Sequence, residues 1–162
     1  MPVVREIDAK RGAAAMLYNP DLTDPAMCAK AVMWAQAVPG GKITAEEIRK
    51  KYVFVAESRV SSDTAEAIDA LLDGDAVLFF DEVEGYILLN VRKYDKRSVD
   101  EPPLSTVTYG PREGFIEDLK TNLCLLERRI RSPRLAIEKL KIGSVTKTDV
   151  AVAFINGIAS RE

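Results

Sequence analysis

The fold class is decided by residues 62–92, which have the sequence SDTAEAIDALLDGDAVLFFDEVEGYILLNVR. Ser62-Asp63 is typical of a helix cap, the apolar residues after it recur at helical spacing, and Gly74 is typical of a helix end. Two short apolar runs, Ala76 to Phe80 and Tyr86 to Arg92, then flank a polar turn. This stretch predicts a helix followed by a β-hairpin, and therefore a fold that combines helices with a sheet.

Upstream, the patterns predict five further elements in the order strand, strand, helix, helix, strand. They are strands at Val3 to Ile7 and Gly12 to Tyr18, helices that begin at Pro25 and at the capping box Thr44-Ala45-Glu46-Glu47, and a strand at Tyr52 to Ala56. The expected fold class is α/β of the mixed α+β type. Its first part has the order β-β-α-α-β-α-β-β and is expected to form a mixed sheet.

Downstream, apolar periodicity is lost from Tyr94 to Glu113, where three prolines and many charges occur. Helical spacing returns with Phe115 and ends before Ser132-Pro133, and a hairpin is predicted for 135–142 and 150–155. We expect a first α/β subdomain at 1–94, a Pro-rich connector at 95–112, and the helix and hairpin of a second subdomain at 113–162. The last hairpin is similar in outline to the first but has only a few residues after it, so the second unit is expected to be incomplete.

Composition narrows the possible functions. The 162 residues are 47% hydrophobic and 30% charged, with a net charge of −2 and no histidine. Without histidine, Ser-His-Asp and Cys-His catalysis and histidine-containing zinc sites are excluded. The apolar runs are shorter than the ~20 residues that a bilayer requires, and no signal peptide is recognisable, so the chain is expected to be soluble and intracellular.

A search for chemical motifs finds no phosphate loop, dinucleotide fingerprint, calcium loop, HExxH or GxSxG pattern. We therefore expect no catalytic residue, no cofactor and no metal. An acidic set around the central hairpin (Asp73, Asp75, Asp81, Glu82 and Glu84) could hold a cation, but solvated turn charges are favoured. Cys28 and Cys124 are predicted to be buried and inert.

Two charged stretches have both a structural and a functional interpretation. The basic run from Glu127 to Lys141 could meet phosphate or an anionic membrane, although a solvated helix end is favoured and no nucleic-acid motif accompanies it. Arg112 and Glu113, in Gly110-Pro111-Arg112-Glu113-Gly114-Phe115, could cap a helix and hold the connector, or could contact a neighbouring domain or subunit.

At this stretch the sequence resembles the GerA family of spore germinant receptor A subunits, which includes SpoVAF-like proteins. The matching residues occur in order over the last 65 or so positions: Arg97-Ser98-Val99-Asp100-Glu101-Pro102, Gly110-Pro111-Arg112-Glu113-Gly114-Phe115, Asn122, Arg128-Arg129-Ile130, Thr146-Lys147-Thr148 and Gly157-Ile158-Ala159. A looser likeness covers Asp69 to Leu78.

The resemblance implies a non-enzymatic, cytosolic N-terminal domain of two α/β subdomains joined by a cleft, on the cytoplasmic side of the spore inner membrane. It would act in nutrient-signal transduction and receptor assembly. The implied partners are the receptor B and C subunits and other A subunits, with no nucleic acid, and with membrane attachment only through a C-terminal segment missing from this chain. The residues expected at the inter-subdomain or subunit interface are Arg97, Glu101, Gly110, Pro111, Arg112, Glu113, Asn122, Arg128 and Arg129.

Two other functions stay open from the sequence. The first alternative is a small-molecule binding module with a nutrient germinant in the cleft between the subdomains, since such clefts are common ligand sites. The second, a carboxylate-based enzyme, is supported only by scattered acidic residues.

Overall fold

The computed structural model describes residues 2–10, 12–93 and 114–158. Within them the chain forms seven strands and four helices. Their order is β1 (Val3–Ala9), β2 (Gly12–Tyr18), α1 (Pro25–Ala37), α2 (Ala45–Tyr52), β3 (Ser58–Ser61), α3 (Thr64–Leu72), β4 (Ala76–Phe80), β5 (Tyr86–Leu89), α4 (Leu119–Arg129), β6 (Leu135–Ile142) and β7 (Thr148–Ile155). The mixed fold of helices and antiparallel sheets confirms the predicted fold class.

Five strands form one sheet in the order β1-β2-β4-β5-β3, and every neighbouring pair is antiparallel. The prediction of a mixed sheet is wrong in this respect. The strands β3 and β4 are joined through the crossover helix α3 and would form a parallel pair if they were neighbours. Instead β5 lies between β3 and β4 and runs antiparallel to both.

Helices cover both faces of this sheet. On one face, α1 and α2 contribute Ala31, Ala35 and Ile48 to a core that includes Met16 and Leu78. On the opposite face, α3 contributes Ala67, Ala70 and Leu71, which pack against Val77 and Leu88. The apolar runs of β4 and β5 follow from this arrangement, because successive side chains point to opposite faces and both faces are covered.

The first two helices begin where the sequence predicts. The Asp24 carboxylate accepts hydrogen bonds from the backbone N–H groups of Ala26 and Met27, with Pro25 at the first helical position. In α2 the backbone N–H of Glu47 donates to Thr44 Oγ1 at 3.3 Å, and the N–H of Thr44 donates to the Glu47 carboxylate at 3.0 Å. These are the reciprocal bonds of the predicted capping box.

The strand predicted at Tyr52 to Ala56 is wrong. Tyr52 is the last residue of α2, and the strand lies later, at β3, where it pairs with β5. Residues 53–55 are buried, exposed and partly buried in turn, but they belong to none of the strands in the described part of the chain.

The remaining described residues form a helix and a hairpin. The helix α4 begins at Leu119, later than the Phe115 of the sequence prediction, because the Asp118 carboxylate caps it by accepting from Thr121 N at 2.8 Å. Strands β6 and β7 pair along their whole length as a two-stranded sheet, with Leu135 opposite Ile155 and Ile142 opposite Thr148. The helix packs against β7. The predicted helix and hairpin are thus both present.

Candidate functional site

The candidate site is the junction where α4 and the residues after it meet the five-stranded sheet and its loops. Its polar contacts involve Asn19, Asp73 and Lys93 on the sheet side. The contacting residues on the other side are Glu127, Arg128 and Arg131. We refer to these six residues as the junction.

A buried pair lies at the centre of the junction. Asn19 Nδ2 donates to Glu127 Oε2 at 3.1 Å, and the two residues are only 4% and 8% exposed. Asn19 follows β2 and is fixed by its own turn, since its carbonyl accepts from Leu22 N, Thr23 N and Thr23 Oγ1. The turn therefore holds the Asn19 amide opposite the Glu127 carboxylate, which lies in the interior on α4. Their hydrogen bond gives each buried polar group the partner that it requires.

Two arginines that follow Glu127 in the sequence make contacts at the edge of the buried pair. Arg128 donates from Nη2 to the carbonyl oxygen of Lys93 at 2.7 Å. Arg131, just beyond α4, lies 2.8 Å from the Asp73 carboxylate. Both arginines are exposed, so water screens these links, and each contributes little to stability by itself.

Asp73 belongs to a second charged cluster, at the turn between α3 and β4. Asp75 is 1% exposed, and Arg92 binds it through two hydrogen bonds, Nε to Oδ1 at 2.7 Å and Nη2 to Oδ2 at 3.1 Å. The same guanidinium reaches Asp73 at 3.4 Å, while Arg59 lies 3.9 Å from Asp75. Arg92 thus fixes the turn that presents Asp73 to Arg131.

The prediction of solvated turn charges therefore holds for only part of the acidic set around the central hairpin. Asp81, Glu82 and Glu84 are exposed, as the sequence interpretation expects. For Asp75 the prediction is wrong, because this residue is a buried ion-pair partner. Asp73 is only partly exposed and pairs with two arginines. Among residues 2–10, 12–93 and 114–158, no group of three or more acidic or cysteine side chains is placed to hold a metal ion.

A cavity of about 210 Å³ lies beside the buried pair. Its polar lining includes the Asn19 and Glu127 side chains, and its apolar lining includes Leu22 and Ile68 from the sheet side and Ile130 and Leu135 from the other. Such a space can hold a small molecule whose body is apolar and whose polar end meets the amide and the carboxylate.

The structure locates three of the nine interface residues expected from the sequence. Arg128 lies in the junction, whereas Asn122 acts within its own segment, exchanging two hydrogen bonds with the backbone of Ile116. Arg129 lies in the last turn of α4 with its side chain exposed. The other six lie outside the described residues: Arg97, Glu101, Gly110, Pro111, Arg112 and Glu113.

The sequence prediction missed most of the junction, although one signal was present. Glu127 is four residues after Leu123, on the buried side of α4, so a charged residue occupies a position where the pattern requires an apolar one. Asn19, Asp73 and Lys93 carry no such signal, because polar residues in loops are ordinary.

Both cysteines are buried, as predicted. In α1, burial raises the pKa of the Cys28 thiol, which keeps the thiol protonated. In the part of the chain that the structure describes, no helix has both the length and the apolar content to span a bilayer.

A protein-family model matches nearly the whole chain. The family described as "Bacillus/Clostridium GerA spore germination protein" matches residues 2–162. Spore germination protein KA of Bacillus subtilis (strain 168) is 32% identical over 117 residues, or 72% of this chain and 22% of that protein. Spore germination protein B1 of the same strain is 33% identical over 152 residues, or 92% of this chain and 31% of that protein.

A solved structure shares the fold. It is the crystal structure of the N-terminal domain of the A subunit of the Bacillus megaterium spore germinant receptor GerK3, with a TM-score of 0.62 and 21% sequence identity. The match covers 99% of this chain and 60% of that one. The chain spans between a fifth and a third of the length of the two curated relatives. Because the family model covers all but the first residue, the chain belongs to the GerA spore germination protein family.

Proposed function

We propose that this chain is a non-enzymatic N-terminal region of a germinant receptor A subunit, which acts in spore germination by transmitting the nutrient signal and by supporting receptor assembly. The observation that carries the proposal is the junction. Within the described residues it joins two groups of elements through the apolar lining of the cavity and, in polar contacts, through one buried pair and two exposed links. A polar contact of this kind permits a change in relative position at low cost, as relative motion between neighbouring units requires.

The proposed division of the chain is 1–94, 95–112 and 113–162. Every residue in the two main core clusters lies between Ile7 and Val91, which supports a first unit that ends near residue 94. The proposed partners are other A subunits and the B and C subunits, and the proposed location is the cytoplasmic side of the spore inner membrane. Family membership and the relatives named as spore germination proteins support these assignments.

The test uses a chimera of spore germination protein B1 in Bacillus subtilis, in which this chain replaces the matching region. The substitutions Asp73→Ala and Arg131→Ala each remove the same link at the junction. We expect each to slow nutrient-triggered germination by roughly two- to fivefold, which corresponds to the ~0.4–1 kcal/mol of an exposed ion pair. Receptor abundance, measured by immunoblot of spore membranes, should stay unchanged.

Asp149→Ala is the matched control, because the Lys141–Asp149 pair is also exposed but lies on the hairpin and involves none of the six junction residues. It should leave germination unchanged. The proposal is wrong if both junction variants germinate at the rate of the unaltered chimera, or if a chimera present at normal abundance never supports germination.

A second function, binding of a small nutrient germinant, is favoured by the cavity beside Asn19 and Glu127. Calorimetric titration of the chain with a panel of amino acids and sugars would test it. Ser132→Trp places a large ring at the cavity lining and should abolish any heat of binding, whereas Asp149→Ala should not. Absence of heat for every compound at millimolar concentration would reject this function.

A further inference from the structure

The outer side of α1 is unusually apolar for a surface helix. Its thirteen residues contain one charged side chain, Lys30. One side of the helix is buried through Cys28, Ala31, Val32 and Ala35, but the other side is exposed and carries Ala26, Ala29, Met33 and Ala37. A helix on the surface of a soluble domain ordinarily places charged and polar residues there.

The exposed apolar surface continues beyond the helix onto Phe54. The Trp34 and Phe54 rings meet edge to face with centroids 5.8 Å apart, and Phe54 is 72% exposed. Met33, the neighbour of Trp34 in the helix, is 66% exposed, whereas Trp34 is only partly exposed and also packs against the core. We name Met33, Trp34 and Phe54 the aromatic patch. Two large apolar side chains exposed on either side of a partly buried ring are typical of an interaction surface.

The charge of the segment that carries the aromatic patch favours an anionic partner. Residues 30–54 contain five Lys or Arg and two acidic residues, although the whole chain has a net charge of −2. Lys30 lies one helical turn before Met33 and Trp34 on α1. Lys50 and Lys51, in the last turn of α2 just before Phe54, are more than 60% exposed and lie 3.4 Å from Glu46 and 3.9 Å from Glu47. Such exposed pairs are weak, so lipid phosphate can replace the carboxylate as the partner of each ammonium group.

We propose that the aromatic patch contacts the headgroup region of an anionic lipid bilayer. Met33 and Phe54 would enter the boundary between headgroups and acyl chains, and Lys30, Lys50 and Lys51 would meet lipid phosphates. Large apolar side chains such as phenylalanine, and lysines with long apolar stems, are residues that occupy this region. The inference goes beyond the proposed function, because signal transmission across the junction does not require contact between α1 and lipid.

The test exploits Trp34, the only tryptophan in the chain, as a probe inside the patch. The full chain is mixed with vesicles of phosphatidylcholine alone or of equal parts phosphatidylglycerol and phosphatidylcholine. With the anionic vesicles we expect co-sedimentation and a blue shift of tryptophan emission, both weakened by salt. Lys50→Gln and Lys51→Gln should each weaken binding by roughly fivefold, the value of ~1 kcal/mol per lysine at an anionic surface.

Phe54→Ser tests the apolar contact, and Val145→Ser, at a 90% exposed position in the β6–β7 turn, is its matched control. Phe54→Ser should reduce co-sedimentation while its thermal unfolding shows that the chain still folds, and Val145→Ser should bind as the unaltered chain does. The proposal is overturned if the unaltered chain ignores anionic vesicles. It is equally overturned if Val145→Ser impairs binding and Phe54→Ser does not, or if the chain self-associates through this face and shows the same emission shift without lipid.

Discussion

Asp75 shows how burial decides the role of a single residue. In the sequence it follows Gly74 at a polar turn, the usual setting of a solvated charge. In the structure the β4 strand begins at the next residue and draws the carboxylate inside, where Arg92 binds both of its oxygens. The partner is seventeen positions away in the sequence, so no local pattern could have paired them.

Removal of Arg92 should therefore destabilise the chain strongly. Arg92→Ala leaves the Asp75 carboxylate buried without its two-point partner, and we expect a loss of about 3 kcal/mol in the free energy of unfolding. Arg92→Lys should lose less, because it keeps the charge but not the planar fork. Urea unfolding followed by circular dichroism measures both values.

Arg59→Ala is the control for this prediction. Arg59 is half exposed and lies 3.9 Å from Asp75, so its loss should cost less than ~1 kcal/mol. Equal losses for Arg92→Ala and Arg59→Ala would show that the two-point hydrogen bond is not what holds Asp75.

At the scale of elements, the sequence predicted those that carry a local chemical signal. The beginnings of α1 and α2 have a proline and a capping box, and the central hairpin has two apolar runs around a turn. The strand β3 (Ser58–Ser61) has a single apolar residue, Val60, and it exists because β5 offers it hydrogen bonds. Pairing with a neighbouring strand cannot be recognised from the sequence of the paired strand alone.

Acid should weaken α2 in a definite pH window. The hydrogen bond from Arg49 to Glu46 is the main reason that the pKa of Glu46 falls from 4.5 to about 2. A pKa that is lower in the folded state stabilises the fold above the unfolded value, and this contribution is lost as pH falls toward 2. The difference in unfolding free energy between the unaltered chain and Glu46→Gln should therefore shrink from pH 6 to pH 2.5.

A double-mutant cycle isolates the pair from the other carboxylates of the chain. In the Arg49→Ala background, Glu46→Gln should produce a difference that changes much less over the same pH range. Urea unfolding at pH 6, 4 and 2.5 gives each value. A difference that persists unchanged at pH 2.5 would contradict the assignment to the Arg49–Glu46 pair.

At the scale of the molecule, the fold could be predicted further than the site. Apolar periodicity and capping residues each predict a single helix or strand. The order of these predicted elements was nearly sufficient to assign the fold class. The junction depends instead on which loops meet, and Asn19 and Glu127 are 108 positions apart. The resemblance to the GerA family was enough to predict Arg128 as a site residue. The buried pair beside it, Asn19 and Glu127, could be recognised only in the three-dimensional structure.

Residues 2–93 should be more stable than residues 114–158, because the two main core clusters lie between Ile7 and Val91. The β6–β7 ribbon has two strands and exposes Leu140, Ile142 and Val152, and a ribbon of this size is marginal in water. We expect amide hydrogen exchange to be fast in β6 and β7 and slowest in β2 and β4, with α4 intermediate.

A shortened chain of residues 1–93 tests more directly whether the chain divides into two units near residue 94. It keeps the five-stranded sheet and both helical layers, and among the described residues it loses the contacts of the junction and the far side of the cavity lining. It should therefore unfold cooperatively in urea, with a midpoint somewhat below that of the full chain and a smaller dependence on denaturant, since less surface is exposed on unfolding. If it is unfolded in buffer, or if β6 and β7 exchange as slowly as β4, the chain is one cooperative unit, and the junction is then part of its core instead of a contact between two parts.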